Sequence, residues 1–195
     1  AKLAACFSVA YTYTEPSVYY EYTLECCSRA REAGLRNVLV TAGYLNEPPL
    51  RELCKFVDAA TIDLKAMSDR FFRDICGATL APVLNYFGVC KAMGVHVEAS
   101  NLLIPTLNDK PEEIEALCRW IKENLGSETP LHFLRFFPHH RMRHLPPTPA
   151  STLTQAREIA TAAGLDYVYI GNLLEADSST TRCPSCRGIL IRRMG

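Results

Sequence analysis

The sequence predicts an α/β fold in which short apolar strands alternate with helices around a parallel sheet. Strand-like and helix-like segments alternate five times and close on a sixth strand, with no shift in composition before about residue 172. Hydrophobic residues are 48% of the 195, enough to bury a sizeable core. Polar residues also recur at successive carboxyl ends of the strands: Glu15, Thr41, Asp63 with Lys65, Asn101, and His132 with Arg135. Barrels and open doubly wound sheets both satisfy the alternation. No Gly-x-Gly-x-x-Gly or Walker loop follows the first strand, and a ring of polar strand ends suits a barrel mouth, so a barrel is expected. Any one of these residues is by itself an ordinary strand terminus; the conjunction carries the expectation.

Residues 7–13 are rich in aromatic and β-branched types and read as the first strand, which stops at Thr14-Glu15-Pro16. Ser17 is the expected N-cap of a helix over 18–34, with Tyr19, Tyr22, Cys26 and Ala30 on one face and Gly34 just past its end. Residues 37–41 are continuously apolar up to Thr41, the pattern of a parallel strand buried on both faces. A helix over 48–57 opens on two prolines. The third strand covers 60–65, Ser68 caps a helix to about residue 75, and a second helix over 82–93 completes the crossover to a strand over 95–104. Helix 111–125, strand 131–136, a proline- and histidine-rich loop over 138–149, helix 152–164 and strand 167–170 follow.

A formal net charge of zero predicts neither nucleic acid nor membrane as a partner. No apolar run reaches the roughly 18 residues a membrane helix needs, and no signal peptide is visible. Nine cysteines scattered through an α/β pattern argue against a disulfide framework and for a reducing, cytoplasmic setting. Cys6, Cys26, Cys27, Cys54, Cys76, Cys90 and Cys118 lie in or beside apolar segments and read as buried thiols.

Glu15, alone, is either a solvated turn residue or a carboxylate fixed by Pro16 to meet a cation. Asp63 and Lys65 have the same parity on their strand, so their side chains share a face. Buried unpaired, each would cost several kcal/mol, so they pair with each other, a ligand or an ion. Lys65 offers a positive charge to a carboxylate, Glu15 a negative one to an amine, and His132 a further donor. Together they describe a receptor for a zwitterion such as an amino acid; a simple Lys–Asp pair is the alternative.

These residues fall in motifs that carry a resemblance: Tyr13-Thr14-Glu15-Pro16, Val40-Thr41-Ala42-Gly43-Tyr44, Ile62-Asp63-Leu64-Lys65, Asn101-Leu102-Leu103-Ile104-Pro105 with Asn108-Asp109, and Pro130-Leu131-His132 with Arg135-Phe136. Tyr167-Val168-Tyr169-Ile170-Gly171-Asn172 and Cys183-Pro184-Ser185-Cys186 complete the set. In this order the chain resembles the central and C-terminal part of a radical S-adenosylmethionine enzyme of the pyruvate formate-lyase-activating type, in the branch named for the AmmeMemoRadiSam gene association. The resemblance implies a partial (β/α)6 TIM-like barrel over residues 1–172 that is missing its first βα unit, and a C-terminal tail over 173–195. It implies S-adenosylmethionine and a [4Fe-4S] cluster as cofactors of the intact enzyme. The cofactor would be cleaved reductively to a 5′-deoxyadenosyl radical that takes hydrogen from a glycyl-radical protein or a small molecule. By the same resemblance Tyr13, Thr14 and Glu15 stand where the family's Gly-Gly-Glu-Pro motif holds the methionine amine. Lys65 and His132 lie near the carboxylate and ribose, Asp63 and Thr41 line the cofactor or a monovalent cation, and Asn101 begins the segment that packs on adenine.

The departures are as plain. No Cys-x-x-x-Cys-x-x-Cys occurs in the 195 residues, Thr14 replaces the motif's second glycine, and Ala42 replaces a common asparagine. The cluster needs thiolates at fixed positions, so this chain alone is expected to be inactive. Cys183 and Cys186 look like half of a zinc knuckle; a structural site needs four ligands, and His139, His140 and His144 are the candidates for the rest. Two rival readings remain: a cluster-free barrel that binds a small zwitterion, and a metal-dependent hydrolase or aldolase-type barrel using Lys65 as base or Schiff-base amine.

Overall fold

The structure is a computed structural model that describes residues 6–173 and 178–193. Parts of the expected tail, residues 174–177 and 194–195, lie outside the described residues. Six parallel strands run in the order β1-β2-β3-β4-β5-β6. They are β1 Ser8–Tyr11, β2 Arg36–Thr41, β3 Ala59–Asp63, β4 His96–Leu103, β5 Leu131–Arg135 and β6 Val168–Gly171. Helices fill the crossovers: α1 Tyr20–Glu32, α2 Glu47–Cys54, α3 Asp69–Phe71 running on into a wider π turn at Phe72–Cys76, α4 Leu80–Ala92, α5 Pro111–Asn124 and α6 Ala150–Ala162. Strand order thus follows chain order, as consecutive right-handed βα units require. No single helix among the described residues is long and apolar enough to cross a membrane.

The chain divides into two compact units. The first comprises residues 1–64 and 79–98. Here Leu39 on β2 and Ala60 and Ile62 on β3 are buried against the helices, together with Leu50 and Leu53 of α2 and Val83, Tyr86 and Phe87 of α4. Each such side chain contributes roughly 1.5–3 kcal/mol through burial. α4 is apolar almost all round, so it is buried on more than one side, unlike α2 with its single stripe. The opposite face of this sheet stays open: β2 alternates, with Val38 half-buried and Val40 at 36% exposure. The expectation of a strand buried on both faces is corrected on this point, because the helices of the unit cover only one side.

The second unit comprises residues 65–78 and 99–195. Ala99, Asn101 and Leu103 of β4, Leu131 and Phe133 of β5 and Ile170 of β6 form its buried sheet face. The register sets Ser100, His132 and Tyr169 side by side on the other face. Leu153, Ala156 and Ala160 are the buried stripe of α6, at the helical spacing. A two-stranded antiparallel hairpin, β7 Thr181–Arg182 and β8 Ile189–Ile191, carries Cys183 and Cys186 in its turn. The Ile170 N–H donates to the Ser178 carbonyl at 2.9 Å, so the chain ahead of the hairpin lies along the outer edge of β6.

Three local expectations are corrected. The first strand ends at Tyr11, and Tyr13 takes a left-handed φ of 66°. Ser17 does not cap α1, which starts after Tyr19; its hydroxyl donates to the Glu15 carboxylate at 2.6 Å instead. The buried face of α1 is Thr23, Cys27 and Ala30, with Tyr22 72% exposed, because the Thr23 hydroxyl anchors that side of the helix to the Pro16 carbonyl at 2.9 Å. Ser68, by contrast, caps as expected, accepting from the Phe71 N–H. Of the seven thiols read as buried, Cys27, Cys54, Cys90 and Cys118 are; Cys26 and Cys76 are half-buried, and Cys6, ahead of β1, is exposed.

Candidate functional site

In the first unit the carboxyl ends of β1 and β2 converge on Glu15. Its Oε1 accepts the Ser17 hydroxyl at 2.6 Å, the Thr41 hydroxyl at 2.6 Å and the Ser17 N–H at 3.3 Å. Its Oε2 accepts the Ala42 N–H at 2.7 Å. A carboxylate offers about four lone-pair sites, two on each oxygen, so Oε1 is filled while Oε2 keeps room for one more donor. The half-buried Glu15 is therefore a carboxylate whose orientation is set by four protein donors, not a solvated turn residue.

Thr41 supplies the scaffold. Its side chain is on the buried sheet face with Leu39, and its hydroxyl accepts the Gly43 N–H at 3.1 Å. Burial pushes the Tyr86 phenol up, and the Glu15 charge adds to this, so the ring stays neutral and able to donate. Gly43 is needed twice over: its φ is +67°, and a Cβ there would stand 2.7 Å from Ile62 Cγ2. Tyr13 is fully exposed and Thr14 exposed, so this pair offers the site its backbone and not its side chains. Asp63 closes β3, half-buried, on the face opposite Ile62; the strand does not extend to residue 65 as expected, so its alternation does not place Lys65.

In the second unit the polar strand ends form another knot. The Lys65 carbonyl accepts the Asn108 amide at 2.7 Å and the Asn101 amide at 3.2 Å. Asn108, 3% exposed, also donates to the Leu102 carbonyl at 2.9 Å and accepts the Ile104 N–H at 2.7 Å. Asn101 thus points into the buried face and braces the backbone of Lys65. The ammonium of Lys65 acts on Cys76: burial lifts that thiol's pKa and the positive charge opposes the lift. His132 is half-buried beside Ser100 and stacks on Tyr169, with ring centroids 5.0 Å apart and planes 26° from parallel. Asn108 is the residue that sequence reasoning left in a loop motif; an asparagine four residues after a strand's last apolar position was its only signal.

Cys183 and Cys186 stand in the hairpin turn, where Arg187 donates its N–H to the Cys183 carbonyl at 2.9 Å. Hydrogen bonds from the Cys186 and Ser185 backbone hold the Cys183 thiol below its usual pKa. Among the described residues no group of three or more His, Cys, Asp or Glu side chains could hold a metal ion, and His139, His140 and His144 are exposed.

With this geometry on view, comparison with known proteins decides the family. The model of the radical SAM superfamily matches residues 2–121. The chain belongs to the radical SAM superfamily. It is 44% identical over 188 residues to the uncharacterized protein MJ0808 of Methanocaldococcus jannaschii, covering 96% of this chain and 56% of that protein. It is 25% identical over 122 residues to the pyruvate formate-lyase-activating enzyme of Clostridium pasteurianum, covering 63% of this chain and 49% of that enzyme. The chain spans about half the length of these curated relatives. The crystal structure of a domain of a pyruvate-formate lyase-activating enzyme from Bacteroides vulgatus superposes with a TM-score of 0.72 at 17% identity, over 85% of this chain and 99% of that one. The fold is that of the pyruvate formate-lyase-activating type of radical SAM protein, as the order of motifs implied.

Proposed function

We propose that this chain forms the S-adenosylmethionine-binding part of an enzyme that cleaves this cofactor reductively and abstracts hydrogen from a substrate. The observation that carries the reading is the open acceptor site on Glu15 Oε2, on a carboxylate already oriented by Ser17, Thr41 and Ala42. A primary ammonium is the donor that such a half-filled, negatively charged oxygen holds best. Superfamily membership supports the methionine amine as that ammonium. Tyr13 and Thr14 would contribute backbone, Lys65 and His132 would meet the carboxylate and ribose, Asp63 and Thr41 would line the cofactor or a monovalent cation, and Asn101 would begin the segment that packs on adenine. When bound and reduced, S-adenosylmethionine supplies a 5′-deoxyadenosyl radical for hydrogen abstraction.

The residues present do not fit a [4Fe-4S] cluster: among those described, no set of three thiolates converges. The role of this chain's described residues is to bind and orient S-adenosylmethionine. The pyruvate formate-lyase-activating relative supports a glycyl-radical protein as the hydrogen donor, with a small molecule as the other substrate class.

Calorimetric titration with S-adenosylmethionine tests the proposal. The native chain binds, and Glu15→Gln weakens binding at least about tenfold, since it replaces a charged hydrogen bond by a neutral one. Equal affinity in both would remove Glu15 from the site. Equal affinity for free methionine and for S-adenosylmethionine would favour the cluster-free zwitterion receptor instead.

A further inference from the structure

The first unit buries two thiols against each other. Cys54 is the last residue of α2, and Cys90 lies on the buried side of α4. Their sulfurs stand 3.8 Å apart, in van der Waals contact. The two residues are 36 positions apart in the chain, so the packing of α2 on α4 brings them together and not local sequence. The other buried thiols, Cys27 and Cys118, lie on different helices, α1 and α5.

The two sulfurs are not equivalent. The Cys90 S–H donates toward Cys54, and the Arg51 guanidinium, three residues earlier on α2, adds positive charge. Together they hold the Cys54 thiol below its usual pKa although burial works to raise it. Cys90 is pushed up instead, by its contact with Cys54 and by burial. Arg51 is itself held between the helices: its Nε donates to Glu47 at 2.8 Å, and its Nη1 to the Met93 sulfur at 3.7 Å. Cys54 is 5% exposed and Cys90 1%, and Cys54 stands at a helix end, where helices fray. A small oxidant therefore meets first the sulfur with more thiolate character, and a protonated thiol already lies against it.

We propose that Cys54 and Cys90 form a peroxide-responsive dithiol site that closes into a disulfide between α2 and α4. The Cys54 sulfur attacks a peroxide oxygen, the O–O bond breaks, and Cys54 becomes a sulfenic acid as one water leaves. The Cys90 sulfur then attacks the Cys54 sulfur, the S–O bond breaks, and the released hydroxide takes the Cys90 proton as a second water. Two thiols lose two electrons and two protons, and one hydrogen peroxide becomes two waters. The bridge closes a long loop in the unfolded chain, so the oxidised unit is the more stable form. The site draws on no part of the S-adenosylmethionine reading and holds or fails without it.

The test is peptide mapping by mass spectrometry of the folded full chain after graded doses of hydrogen peroxide, with the remaining thiols blocked by N-ethylmaleimide on unfolding. A Cys54–Cys90 cross-linked peptide is expected, reversed by dithiothreitol, and the oxidised chain should unfold at higher urea than the reduced one. Dimedone, which traps sulfenic acids, should label Cys54 in Cys90→Ser at least about tenfold more than Cys90 in Cys54→Ser. Alanine at either position supplies the same comparison should a buried serine hydroxyl unfold the chain. Recovery of Cys54 and Cys90 as free thiols at doses that oxidise the exposed Cys186, or in bridges to other cysteines, overturns the site. A cross-link that forms only in urea overturns it as well, since the chemistry then belongs to the unfolded chain. Equal labelling of the two variants, or more at Cys90, overturns Cys54 as the sulfur attacked first.

Discussion

The two units solve one problem in opposite ways. Each must hold a charged residue at the end of a strand. The first fixes the side chain: Glu15 accepts four hydrogen bonds, and its carboxylate can point in only one direction. The second fixes the main chain: Asn101 and Asn108 bind the Lys65 carbonyl, so the backbone is pinned. The difference follows from chemistry. A carboxylate is an acceptor and can be clamped by the backbone N–H groups and hydroxyls that strand ends supply, whereas an ammonium is a donor on a flexible stem and is placed best by placing its Cα. Orientation is built into the acid, and position into the base.

Asn108→Ala tries that contrast hardest. It takes the Asn108 amide from the Ile104 N–H and the Leu102 carbonyl and leaves the Lys65 carbonyl with Asn101 alone, and we expect a loss of about 3 kcal/mol in urea unfolding. A loss below about 1 kcal/mol would mean that the Lys65 backbone is held by something else. Thr41→Val asks the matching question of the first unit. The hydroxyl serves Glu15 and Gly43, so about 2 kcal/mol should go, and Thr41→Ser should restore most of it. A loss in Thr41→Ser with none in Thr41→Val would assign the effect to the methyl group.

Acid offers a gentler probe. Asp58 is held below the ordinary carboxylate range: burial works to raise it, and the Asn37 N–H at 2.8 Å and the Arg36 guanidinium at 2.6 Å outweigh that. Its contribution is therefore complete above the unfolded value of about 3.9 and is lost as pH falls through the lower folded value. The first unit should loosen in that range, read as faster exchange of the Asn37 amide, and Asp58→Asn should flatten the dependence. An unchanged acid slope in the variant would rule this out. The smallest effect is expected at Tyr13, where glycine relieves a left-handed φ at some entropic cost; Tyr13→Gly should gain about 0.5 kcal/mol, and a loss would show that the tyrosine side chain contributes more than its backbone strains.

The order of strands and helices was legible because hydrophobic period and caps agree locally, as at Ser68. The helix after β1 shows where local reading stops. Tyr19, Tyr22, Cys26 and Ala30 are a valid helical face, yet the neighbouring stripe through Thr23 and Cys27 is the one buried, because a threonine hydroxyl found a carbonyl seven residues back. The candidate site divides on parity. Counting polar strand ends put Thr41 and Asn101 beside Asp63 and His132, but Thr41 shares its face with Leu39, and Asn101 shares its face with Ala99 and Leu103. Period-two alternation, applied to every strand and not only to the third, separates the braces from the residues on the open side. The hairpin was not legible, since β7 and β8 are two and three residues long, too short to show a period.

Gly43 carries a consequence for how this sequence can drift. Its codon is caught between a handedness that side chains resist and a methyl group of Ile62 that leaves no room for one. In a saturation library selected for ligand retention, that codon should return as glycine alone. The turn behind the acid is frozen by the space around it, whatever the rest of the lineage does.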